Sequence, residues 1–169
     1  MSTSRRFLIA LAGTEDAGLP AQVAKVAGAS GPDLEITLLH VAESAPRELA
    51  AHDPMFRRGP WPQAGRAEIE RRMTDADEAG AAALLSLWQE RFESTLPGIG
   101  IAQLVARGRP EQEIVAAARR LNADVVVLCA RPQSGPTEPG PRSVGHVARF
   151  VVDHSPVAVL LIRRPTIAG

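Results

Sequence analysis

Apolar residues follow two rhythms along the chain. Short, nearly continuous apolar runs alternate with longer stretches in which apolar residues recur every three or four positions, the patterns of buried strands and amphipathic helices. The first run, Arg6 to Ala12, predicts a strand, and Gly13 with Thr14 predicts the turn after it. Leu19, Val23 and Val26 then recur at helical spacing until Gly28 to Pro32 stops the helix. Leu34 to Ala42 predicts a second strand. From Arg66 to about Thr95 one apolar stripe of Ile69, Met73, Ala76, Gly80, Leu84, Leu87, Trp88 and Phe92 predicts a long helix, with Trp88 in the core. Ile99, Ile101 and Val105 mark a third strand. Gly108 leads into a helix with Pro110 near its first position, Ile114, Val115, Ala118 and Leu121 facing inward, and Asn122 closing it.

Strand four, Asp124 to Ala130, reads DVVVLCA, and strand five, Pro156 to Ile162, reads PVAVLLI. Runs so apolar and so rich in β-branched residues belong in a parallel sheet covered by helices on both faces. Between them a helix from Ser143 to about Val152 turns Val144, Val147, Ala148 and Val151 inward. The alternation of five strands with four helices predicts a Rossmann-like α/β fold: an open, doubly wound parallel sheet with right-handed crossovers. Two segments lack a period. Residues 43–65 carry Pro46, Pro54, Pro60 and Pro62 and are expected to form a long loop. Residues 131–142 form a second, Pro-rich loop. At 169 residues the chain suits one domain, 1–169, large enough to bury about 70% of its unfolded surface.

Composition removes several classes of function. Lys plus Arg and Asp plus Glu number 19 each, so no net field draws the chain toward nucleic acid or a membrane surface. Four Phe, two Trp and no Tyr leave little for a base-stacking platform. The single thiol, Cys129, excludes an intrachain disulfide and is in keeping with a cytoplasmic address. Arg5 and Arg6 before an apolar run imitate a secretory leader. The run is short and Glu15 and Asp16 follow it, so a buried first strand is the expected reading. No apolar stretch approaches the roughly 18 residues of a membrane-spanning helix.

In a doubly wound sheet the ligand crevice lies beyond the carboxyl ends of the strands. The segments to inspect are therefore 12–16, 40–43, 108–110 and 129–143. A receiver-type phosphoacceptor site needs a lysine after strand five, and Lys25 is the chain's sole lysine. A flavodoxin-type phosphate loop needs more hydroxyls and glycines than Gly13 and Thr14 supply. No P-loop, nucleophile elbow or HExxH is present. His40, His52, His146 and His154 have no metal-ligand spacing, so no metal is expected. No catalytic constellation is visible, and the chain is expected not to be an enzyme.

The segments FLIALAGTEDA (Phe7 to Ala17), TLLHVAE (Thr37 to Glu43), ARGRPEQEIVAAARRLNADVVVLCA (Ala106 to Ala130) and RSVGHVARFVVDHSPVAVLLIRR (Arg142 to Arg164) resemble the universal stress protein family over nearly the whole chain. The resemblance implies a five-stranded parallel sheet in the order 3-2-1-4-5, a homodimer and, in some members, ATP binding. The ATP-binding branch carries G-x2-G-x9-G-[ST] after strand four and an Asp closing strand one. Aligned on Ser143, its glycines fall on Cys129, Pro132 and Arg142, and its Asp falls on Ala12. Only the hydroxyl remains.

A phosphate loop works by turning consecutive N–H groups toward an anion from conformations that glycine permits. Pro132, Pro136, Pro139 and Pro141 have no N–H to give. The expectation is a stress-response module, without ATP as cofactor, that binds another small ligand or a protein partner. The alternative is a nucleotide binder, ATP or AMP, with a remodelled loop. Candidate ligand contacts are Ala12, Gly13, Val41, Gly108, Cys129, Arg142, Ser143 and Val144. Arg142 and Ser143 suit either a residual anion site or, the more ordinary reading, a surface charge and a helix N-cap. Cys129 is either a crevice thiol or, more ordinarily, a small buried hydrophobe. Strand five is an edge in the implied order, so Val157, Ala158, Val159, Leu160, Leu161 and Ile162 are expected to pair across a homodimer axis, unless the carboxyl tail covers them.

Overall fold

The structure, a computed structural model, describes residues 4–28, 33–42, 63–130 and 144–163. The elements run β1 (Arg5–Leu11), α1 (Leu19–Ala27), β2 (Leu34–Ala42), α2 (Gln63–Thr95), β3 (Gly100–Arg107), α3 (Pro110–Arg120), β4 (Val125–Cys129), α4 (His146–His154) and β5 (Ala158–Ile162). All strand pairs are parallel, in the order β3-β2-β1-β4-β5. This is the α/β sheet that the alternation predicts. Strand order reverses between β1 and β4, which pair from Phe7 with Val125 to Ile9 with Val127.

Alternation along the strands builds two cores. Phe7, Ile9 and Leu11 of β1 face one side, where α1 contributes Leu19, Val23 and Ala27 and α2 contributes Leu85, Trp88 and Phe92. Leu8 points the other way, into Ile114, Val115 and Ala118 of α3 and Ala148 and Val151 of α4. Each buried Leu, Val or Phe contributes about 1.5–3 kcal/mol by leaving water. The fold is therefore held from both faces of β1.

The helix ends follow from local chemistry. Pro110 takes the first turn of α3 beside Glu111 and Glu113, and Arg119 and Arg120 lie in its last turn, charges that suit both ends of its dipole. Asn122, at φ +47°, closes it: Ala123 N–H donates to Ala118 O at 3.0 Å, the six-to-one bond of a Schellman cap.

Several expectations need correction. Val26 is 56% exposed, because the inner track of α1 steps by four from Leu19 through Val23 to Ala27. Leu87 is also exposed. The buried positions of α2 are Ala81, Leu85, Trp88 and Phe92, with Leu84 half-buried, while Ile69 and Met73 lie outside the described side chains. Residues 63–65 are the start of α2, not loop; 43–62 lie outside the described residues, as does the Pro-rich loop.

The last helix begins at His146 with Gly145 at its N-cap, later than the Ser143 start that the sequence suggests, and Ser143 itself lies outside the described residues. Only Ile162 of β5 is buried, as an edge position requires, and β5 begins two residues late. The delay has a local cause: the Ser155 hydroxyl donates to Val157 O at 2.9 Å and accepts from Val157 N–H at 3.2 Å, holding Val157 outside the ladder.

Candidate functional site

At the carboxyl edge of the sheet, where the strand order reverses, a cleft of about 730 Å³ opens. Ligand sites of doubly wound sheets lie at this switch point. Its walls come from the ends of β1 (Ala10, Leu11), β2 (Leu39 to Ala42) and β4 (Leu128, Cys129), from Pro110 and Ile114 of α3, and from residues 144–148. The amino-terminal half of α2 closes the remaining side with Ala76, Asp77, Gly80 and Ala81.

Of the residues expected here, Ala12, Val41, Cys129 and Val144 do line the cleft. Gly13 sits in the same turn, at φ +85°, a conformation glycine adopts without strain. Gly108 is not among the lining residues. It sits at φ +145° in the turn from β3 to α3, donates its N–H to Ala42 O at 3.2 Å, and would press a Cβ to within 3.0 Å of Glu113 Oε1. Its role is to make that turn. Arg142 and Ser143 lie outside the described residues. Cys129 is half-buried at the cleft wall.

Two polar features shape the cleft. His40 Nδ1 lies 2.9 Å from Leu11 O. A carbonyl oxygen only accepts, so the bond requires the proton on Nδ1 and leaves Nε2 of the neutral ring as an acceptor. At the end of β1 the Glu15 carboxylate takes two consecutive N–H groups, Ala12 at 2.5 Å and Gly13 at 2.9 Å. Among the described lining residues the carboxylates are Glu15 and Asp77.

Sequence reasoning missed the α2 contribution. Ala76 and Gly80, one turn apart on the same face of α2, are small, which lets the helix border a cavity without filling it. His146, also in the wall, was weighed only as a metal ligand. Among the described residues no group of three or more His, Cys, Asp or Glu is placed to hold a metal, and no helix is long and apolar enough to cross a membrane.

These features define a doubly wound α/β domain with a ligand-sized cleft at its topological switch point. The chain belongs to the universal stress protein family, whose model matches residues 3–163. Solved structures share the fold. The hypothetical protein MJ0577 superposes with a TM-score of 0.71 at 19% identity, covering 97% of this chain and 99% of that one. UspA from Lactobacillus plantarum gives 0.63 at 20%, covering 96% and 100%. A universal stress protein family protein from Arabidopsis thaliana, solved with AMP bound, gives 0.61 at 19%, covering 96% and 93%. No curated protein sequence matches the chain significantly.

Proposed function

We propose that this universal stress protein is a non-enzymatic, cytoplasmic homodimer whose cleft takes a nucleoside-sized ligand of little negative charge, and that Mg-ATP is not its cofactor. The observation that carries this reading is the cleft itself. Its apolar walls, Leu39 and Val41 on one strand and Ile114 and Leu128 across from them, suit a flat heteroaromatic ring. His40, in the same wall, has Nδ1 engaged by Leu11 O and offers its other ring nitrogen as a polar contact.

Charge separates a nucleoside from a triphosphate. Glu15 and Asp77 give the wall two carboxylates, like charges to a polyphosphate, and the prolines at 132, 136, 139 and 141 withhold N–H groups from the loop after β4. The AMP in the Arabidopsis relative favours a second reading, a nucleotide site rebuilt around Ala12, Val41 and Val144. Dimerisation rests on β5, an apolar edge whose Val159, Leu160 and Leu161 are only half-buried.

Native mass spectrometry of the purified protein separates these readings. An uncharged heteroaromatic ligand, or an empty cleft that fills with adenosine, supports the first. Retained ATP or AMP supports the second.

A further inference from the structure

The first turn of the chain contains a small anion-binding arrangement. Ala12 and Gly13 present successive N–H groups at the end of the central strand, and the positive φ of Gly13, +85°, curls that backbone into a concave donor pair. Such a pair ordinarily receives an anion from outside. Here the anion is built in: Glu15 Oε1 takes Ala12 N–H at 2.5 Å and Oε2 takes Gly13 N–H at 2.9 Å.

We infer that Glu15 determines the ligand specificity of the cleft, holding the strand-one donor pair against phosphorylated ligands. The inference rests on the reading of the cleft as a ligand site and adds the residue that sets its charge selection.

Three observations converge on this. Glu15 lines the cleft together with Ala12, one of the two residues whose N–H it holds. Each carboxylate oxygen meets its own N–H, a charge-assisted pair of bonds that an entering phosphate must break before it can use those donors. The displaced carboxylate would then remain beside the phosphate, two like charges in one cleft that Asp77 already makes acidic. An uncharged ligand meets none of these costs.

The test compares wild type, Glu15→Gln and Glu15→Ala by calorimetric titration with adenosine and with AMP, and follows the Ala12 and Gly13 amide resonances of the wild type during AMP titration. The expected result is an AMP-to-adenosine affinity ratio that rises about tenfold in both variants, the size of one lost like-charge contact and one freed donor pair. In the wild type both amide resonances are expected to stay in place. An unchanged ratio, or wild-type amides that shift with AMP bound as tightly as adenosine, overturns the inference. Should adenosine not bind at all, the reading of the cleft fails, and inorganic tripolyphosphate then decides Glu15 alone. A thermal stabilisation by tripolyphosphate that appears in the variants and not in the wild type supports the role; equal response, or none in any of them, removes it.

Discussion

The two ends of β1 are closed by the same chemistry and differ in what surrounds it. At the amino end Asp124 accepts from Arg6 N–H at 2.7 Å, and the reciprocal bond from Asp124 N–H to Arg6 O, 2.8 Å, continues the ladder between β1 and β4. The Arg6 guanidinium stands 3.8 Å from the same carboxylate, and both side chains are nearly half exposed. At the carboxyl end Glu15 accepts from Ala12 and Gly13, at a cleft whose other described carboxylate is Asp77. A carboxylate beside a guanidinium on the surface completes a strand. One beside a second carboxylate in a cleft selects what enters.

Substitutions can break this comparison. Leu8 lies between the two ends, fully buried in the middle of β1, and Leu8→Ala should cost about 3 kcal/mol in urea unfolding. A loss below about 1 kcal/mol would mean that the ends, not the centre, hold the strand. Among the described residues no strand pairs with the outer side of β5, and a second copy of the chain is its proposed partner. Leu160→Lys should weaken self-association about 100-fold in light scattering, and a wild type that is monomeric at micromolar concentration contradicts the dimer. Gly13→Ala forces a side chain into the left-handed region, with about 1 kcal/mol of lost stability and a weakened Glu15 bridge. Asp124→Asn should cost under about 1 kcal/mol, given the exposure of the pair, and leave ligand binding unchanged. A change in ligand affinity there would erase the distinction between the two ends.

The fold was legible in the sequence because burial on both faces writes itself as continuous apolar runs. VVVLC reads as a buried parallel strand and is one, between β1 and β5, whereas the equally apolar AVLLI is the edge. Helix faces were legible to within one step of the helix: Val26 sits three residues past buried Val23, where the structure steps four to Ala27, and exposed Leu87 lies one residue before buried Trp88. The cleft was legible where strand ends alone define it, at Ala12, Val41 and Cys129. It was not legible where packing of distant segments decides, as when the Ala76 to Ala81 turn of α2 is laid against the ends of β1 and β2. The Glu15 bridge needed only the local sequence. A carboxylate two residues after a turn glycine is placed to satisfy that turn's own N–H groups.

The central claim is that the cleft admits a nucleoside and refuses a triphosphate. Side-by-side calorimetric titration of the purified full chain with adenosine and with Mg-ATP tests it most directly. The account predicts saturable heat with adenosine and none at micromolar Mg-ATP. Micromolar affinity for Mg-ATP would contradict it.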